Sequence, residues 1–201
     1  MEGFEQIIAL DQRATVALNS LHCSASDAIA LAFSGKAIWI PLYLFIFYLL
    51  CRRLGWKRAL ISIAAIGLTV LACDQGANLV KDAVARLRPC FTPWCLENGL
   101  NVLEQGNSSN PYGFFSAHAA NAFGVAISSA LLLRTERRRT DTLNTVLILL
   151  WAALVGLSRV LVGKHFLGDV LVGAVVGLAF GAAFALLARW LFSRLPFKKD
   201  N

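Results

Sequence analysis

An all-α bundle of about five membrane spans, preceded by an amphipathic helix at the membrane interface, is what this sequence of 201 residues predicts. Three observations lead there. The composition is 57% hydrophobic and 15% charged, with a mean hydropathy of +0.62, which no ordinary soluble domain shows. Five apolar segments approach the roughly 20 helical residues that cross a bilayer core. The cations gather beside those segments, as they do at the cytoplasmic ends of membrane helices.

Along the chain, residues 1–27 come first as an interfacial segment. Phe4, Ile7, Ile8, Leu10, Ala14, Val16, Ala17, Leu18 and Leu21 approximate a helical stripe, interrupted by Glu2, Glu5, Asp11 and Arg13. There is no basic start followed by an unbroken apolar core, so no cleavable signal peptide is expected. The first span begins near Ala28 or Lys36 and ends at Cys51, with Pro41 a candidate bend. The second runs from Ala59 to about Val80 and holds Asp74, Gln75 and Asn78 in its last turns. The others are Phe114–Leu133, a shorter Leu143–Leu157, and about Phe166–Leu191. Gly168, Gly173, Gly177 and Gly181 lie near one face of the last, which suits close helix contact.

Three basic clusters orient this layout: Arg52, Arg53, Lys57 and Arg58; Arg134, Arg137, Arg138 and Arg139; and Arg189, Arg194, Lys198 and Lys199. With these twelve of the nineteen Lys and Arg in the cytoplasm, five spans alternate consistently, N-terminus outside and C-terminus inside. The net charge of +7 is thereby assigned to the membrane, and no nucleic-acid partner is expected. The external loop 89–113, rich in Pro, Gly, Asn and Ser, favours turns over helix and lies where a lid would lie. Cys90 and Cys95 both fall in it, as a disulfide or as free thiols. No cysteine pair has the spacing of a zinc site.

Three polar stretches then reach one external face: Lys81–Pro89, Ser116-Ala117-His118, and Ser158-Arg159 followed by His165 and Asp169. Polar groups at such depth are costly unless they bind or react with something. Lys81 and Arg88 are seven residues apart, so they share a helical face if the second span continues past the membrane, with Pro89 ending it. Ordinary interfacial snorkelling of Lys81, Arg86 and Arg88 is the alternative. Ser116 and His118 open a helix whose unpaired amides favour an anion, with Asn121 one turn on to orient the ring. Asp169 follows His165 by four residues, so its carboxylate can hold one imidazole nitrogen and leave the other to attack. Cations with two imidazoles suit a phosphate ester.

In these stretches the chain resembles the type 2 phosphatidic acid phosphatase superfamily, related to bacterial acid phosphatases and vanadium haloperoxidases. The pattern is Lys, six residues, Arg-Pro; then Pro-Ser-Gly-His; then Ser-Arg, five residues, His, three residues, Asp. The first and third are matched at every defining position. In the second, Phe115 stands in place of Pro and Ala117 in place of Gly. The resemblance implies a single membrane phosphatase domain over 1–201, with an interfacial helix in place of the first of six spans. It implies His165 as nucleophile, Asp169 as its orienting carboxylate and His118 as acid and then base. Lys81, Arg88, Ser116 and Arg159 would hold the phosphoryl oxygens. No metal or other cofactor is needed in that scheme. The substrate is then a lipid phosphate or diphosphate in a bacterial inner membrane, met on the periplasmic face. The family tips the choice toward undecaprenyl diphosphate, ahead of phosphatidylglycerol phosphate, phosphatidic acid and lipid A phosphate. A lipid phosphotransferase would use the same phosphohistidine. A non-catalytic anion-binding or transport protein is the rival outside enzymes, and the paired broken spans of a transporter are missing.

Overall fold

The structure is a computed structural model that describes residues 2–35, 37–103, 110–134 and 138–195. Lys36, loop residues 104–109, Arg137, Lys198 and Lys199 lie outside them, and with them the blurred start of the first span, the centre of the proposed lid and part of two basic clusters. Every regular element among the described residues is helical, apart from one antiparallel bridge between Leu87 and Tyr112. The order is α1 (Glu2–Asn19), α2 (Ser24–Ser34), α3 (Ile40–Leu54), α4 (Trp56–Val84), α5 (Pro93–Glu97), α6 (Ala117–Leu133), α7 (Arg138–Leu161) and α8 (Leu167–Arg194). Among the described residues, four helical stretches are long and apolar enough to cross a membrane: Ala37–Leu54, Trp56–Val84, Asp141–Leu161 and Leu167–Arg194. At 17 residues α6 is apolar but shorter.

Several boundaries differ from the sequence reading, each for a local reason. The chain between Ala28 and Cys51 is not one span. α2 stops at Ser34, where Gly35 takes an extended conformation and its N–H caps Leu31 and Ala32. Pro41 does not bend a helix; it sits in the first turn of α3, where its missing N–H costs nothing. α3 and α4 meet at Gly55, whose φ of 78° lets one residue end the first helix and begin the second. The fourth span is longer than its apolar run, because polar residues 138–142 continue α7 beyond Leu143.

The bundle is held by close backbone approach. α6 packs most extensively on α8, and it does so over glycines. A Cβ on Gly177 would stand 2.1 Å from the Ala120 carbonyl oxygen, and one on Gly173 2.5 Å from that of Ser116. Small residues let membrane helices gain dispersion contact where lipid offers no hydrophobic drive. Hydroxyls add short links: Ser128 Oγ donates to the Gly181 carbonyl at 3.0 Å and lies 3.4 Å from Thr69 Oγ1, joining α8, α6 and α4. At the end carrying the basic clusters, Arg53 donates to the Leu133 carbonyl at 2.7 Å and to Asp141 at 3.0 Å, closing the C-terminus of α6 against α7.

α1 turns its apolar side outward and its polar side in. Phe4, Ile7 and Leu10 are exposed, while Thr15 and Asn19 are fully buried. Asn19 Nδ2 donates to the carbonyls of Val160 and Leu161, and its Oδ1 accepts from the Asn101 N–H at 2.7 Å. α1 and α2 together are long and apolar enough for a span but are bent by 115°. The interfacial helix is therefore also a brace on the end of α7.

Candidate active site

α4 ends earlier than the spacing of Lys81 and Arg88 suggested. Ala85 takes a left-handed conformation (φ 50°) and its N–H caps the Lys81 carbonyl. Arg88 is thus not on the helix. It sits in an extended segment paired with 111–113, where its N–H donates to the Pro111 carbonyl and the Gly113 N–H donates to the Arg86 carbonyl. Pro89 opens a 3₁₀ turn instead of ending α4. Lys81 and Arg88 still meet, by a turn and not by helical periodicity.

Lys81, Arg88, His118, Arg159 and His165 line one cavity of about 950 Å³, together with Ser34, Asn110 and Lys164. Lys81 reaches it from the last turn of α4, His118 from the first turn of α6, and Arg159 from the last turn of α7. His165 stands in the short link before α8. Arg88 is fixed on three sides: Nε donates to the Asn110 carbonyl at 3.0 Å, and Nη1 lies 3.2 Å from the Lys164 carbonyl and 3.1 Å from His165 Nε2. Arg159 donates to Ser34 Oγ, which ties α7 to the end of α2.

The contact with Arg88 settles the state of the histidine ring. A guanidinium has only donors, so Nε2 accepts and the proton of the neutral ring sits on Nδ1. That nitrogen is 3.6 Å from Asp169 Oδ2, an ion-pair separation longer than a hydrogen bond. Burial, reinforced by the charges of Arg88, Arg159 and Lys81, holds the imidazole well below the ordinary histidine range. Burial likewise lowers Arg88 from its usual value, though not to neutrality at physiological pH. The ring is neutral, with its lone pair on the cavity side.

Asp169 does not line the cavity. It is fully buried behind His165, where Oδ2 accepts from the Phe166 N–H at 3.1 Å and Oδ1 from Arg86 at 2.8 Å. Its own carbonyl accepts the Ser116 N–H at 3.0 Å, which joins the starts of α8 and α6. Ser116 is also fully buried; its Oγ caps α6 by accepting from the Ala119 N–H at 3.4 Å. Asn121 turns to Asp74, donating from Nδ2 to Oδ1 at 2.8 Å.

Sequence reading gave no role to Lys164, Asn110, Ser34 or Arg86. Lys164 and Arg86 lie inside the two matched motifs at unspecified positions, and a cation in a buried motif was the available signal. Ser34 and Asn110 carried none. The loop expected to favour turns forms the short helix α5, and Cys95, Leu100 and Phe166 cluster beneath it. Cys90 and Cys95 are both free thiols; burial raises the first and pushes the second up to about 11.

Comparison with known proteins agrees with this geometry. The chain is 35% identical over 187 residues to a lipid A 4'-phosphatase of Bacteroides thetaiotaomicron, covering 92% of this chain and 80% of that one. It is 28% identical over 198 residues to a lipid A 4'-phosphatase of Porphyromonas gingivalis, covering 96% and 80%. The fold matches the crystal structure of a transmembrane PAP2 type phosphatidylglycerolphosphate phosphatase from Bacillus subtilis with a TM-score of 0.68, at 20% identity, over 98% of this chain and 90% of that one. The profile of the PAP2 superfamily matches residues 58–193, which include every polar stretch described above. The chain belongs to the PAP2 superfamily and is a membrane-embedded phosphatase.

Proposed function

We propose that the protein hydrolyses a phosphate monoester on the head group of a glycolipid of the lipid A type, at the periplasmic face of a bacterial inner membrane. The observation that carries this reading is one cavity with two different walls. Four cations (Lys81, Arg88, Arg159 and Lys164) and two imidazoles line it together with Asp74, Gln75, Asn78 and Asn121 of α4 and α6. The Asp74 carboxylate and the carboxamides of Gln75, Asn78 and Asn121 suit hydroxyl groups. A sugar supplies hydroxyls there; a polyisoprenyl diphosphate supplies none. Trp39 and Trp151 border both this cavity and an apolar cleft of about 330 Å³ lined by Leu42, Ile46, Leu49 and Ile148, which suits a hydrocarbon tail. The relatives named for lipid A support the same choice, so lipid A phosphate moves ahead of undecaprenyl diphosphate, which the family resemblance alone had favoured. The basic clusters at the opposite end of the bundle support the periplasmic placement.

The reaction has two steps. His165 Nε2 attacks phosphorus as the ester P–O bond breaks, and His118 gives its proton to the leaving sugar oxygen. His118 then takes a proton from water, the water oxygen attacks phosphorus, and the N–P bond breaks to release inorganic phosphate and neutral His165. Lys81, Arg88 and Arg159 bind the phosphoryl oxygens, and Arg88 moves its Nη1 from His165 Nε2 to the substrate. Asp169 Oδ2, 3.6 Å from Nδ1 in the free protein, closes to a hydrogen bond with that N–H as the ring takes the phosphoryl group. Ser116 contributes by capping α6, which presents its first amides to the anion.

Purified protein in detergent with chelator should release phosphate from lipid A with kcat/KM at least about tenfold above phosphatidic acid, phosphatidylglycerol phosphate and undecaprenyl diphosphate, a gap of about 1.4 kcal/mol. A higher value for any of the other three overturns the head-group choice. Transfer of labelled phosphate to a second lipid instead of water would favour the phosphotransferase.

A further inference from the structure

Behind Asp169 stand groups that the two-step reaction leaves unused. Arg86 spans two carboxylates: Nη1 donates to Asp169 Oδ1 at 2.8 Å and Nη2 to Asp11 Oδ2 at 2.7 Å. Its guanidinium lies 4.1 Å from the centroid of the Phe166 ring. Asp11, from α1, accepts in turn from the Gly168 N–H through Oδ1 at 2.8 Å. A Cβ on Gly168 would come within 2.7 Å of Asp11 Oδ2, so the carboxylate approaches α8 only because that position is glycine.

We propose that Asp11 and Arg86 are positioning residues that set the carboxylate of Asp169, and through it the ring of His165, so that α1 is a working part of the active site. Asp169 is fully buried and needs both a counter-charge and a direction. Arg86 occupies Oδ1, which leaves Oδ2 for the Phe166 N–H and the Nδ1 side of His165. A single ion pair would let the guanidinium pivot. Two carboxylates on different nitrogens, with an aromatic face against the plane, fix it. Asp11 supplies the second anchor and is itself fixed by the start of α8, the helix that carries Asp169. The loop of contacts closes: α1 to Arg86 to Asp169 to α8 and back to α1.

The inference rests on His165 being the nucleophile, and the experiment separates the two. Full-length protein in detergent is assayed on a lipid phosphate as wild type, Asp11→Asn, Arg86→Gln, Arg86→Lys, Asp11→Asn with Arg86→Gln, Asn19→Ala and His165→Ala. Asp11→Asn should lower kcat by about tenfold and Arg86→Gln by about a hundredfold, with KM within about twofold in both, because neither touches the substrate. Arg86→Lys should recover part of the loss. The double variant should match Arg86→Gln alone, since Asp11 acts through Arg86. Asn19→Ala also loosens α1 and should lower the melting temperature while keeping kcat within about twofold. If Arg86→Gln does not fold, the cycle is run on Arg86→Lys. The proposal is overturned if Asp11→Asn keeps kcat within about twofold, if the two losses multiply, or if Asn19→Ala loses as much kcat as Asp11→Asn. Activity in His165→Ala would instead overturn the nucleophile assignment.

Discussion

Replacing Gly177 by alanine sets a methyl carbon 2.1 Å from the Ala120 carbonyl oxygen, 2.8 Å from its carbon and 3.0 Å from its α-carbon. These are backbone atoms of α6, held in its hydrogen-bond ladder, so no rotamer change relieves the contact. Ordinary contact begins near 3.4 Å, so α8 must withdraw by about 1.3 Å at this point. Overpacking of this kind costs about 1–3 kcal/mol. In a chain of this length each kcal/mol lowers the melting temperature by about 2–4 °C. The larger effect is on catalysis. α6 presents His118 and α8 follows directly on His165, so their separation changes the distance between the proposed acid and the proposed nucleophile. Misplacement of about 1 Å costs on the order of a hundredfold in rate. The assay is thermal unfolding in detergent beside initial rates of phosphate release well below the transition. Gly67→Ala is the control, because a Cβ there meets nothing within 4 Å. Indistinguishable melting temperatures and kcat/KM for the two variants would refute the claim that the glycine contact sets the spacing of the site.

Titration of the His165 ring by nitrogen-15 NMR should show a neutral imidazole protonated at Nδ1 from pH 7.5 down through 6.5, because its folded value lies below the ordinary one. The reactive form therefore persists as pH falls through that range, while the unfolded chain takes up a proton near 6.5. The ring's contribution to stability is full above that pH and declines as the pH falls toward the folded value. A charged ring at pH 6.5, or a proton on Nε2, contradicts the assignment. His118→Gln should lose about 10²–10⁴-fold in kcat on an alkyl phosphate yet form a phosphohistidine from an aryl phosphate, whose leaving group needs no proton. Equal losses on both substrates, with no phosphoenzyme, would remove His118 from the role of acid.

The helical architecture and the meeting of Lys81, Arg88, His118, Arg159 and His165 were legible because both follow from local signals. A span is recorded in about 20 consecutive apolar residues, and a polar residue inside or beside one is conspicuous. Helix ends were less legible. α4 stops at Ala85 through a left-handed residue that is not glycine, and nothing in the composition of 81–89 marks that position. The expected shared face of Lys81 and Arg88 failed for this reason, although both side chains line the cavity. Pairings between distant segments outside the three polar stretches were not legible at all. Arg86 reads as one more interfacial cation until Asp11 and Asp169, at sequence separations of 75 and 83, are seen on its two nitrogens. The stripe of α1 predicted a helix with one apolar side and left open what its polar side meets. In water that side would need no partner; here Thr15 and Asn19 are buried without any remaining exposure, so each must be met by protein. Thr15 accepts the Leu167 N–H at 2.9 Å, one residue before Gly168 donates to Asp11. Asp11, one of the residues that interrupt the apolar stripe, and Thr15 thus dock α1 against the start of α8, next to His165.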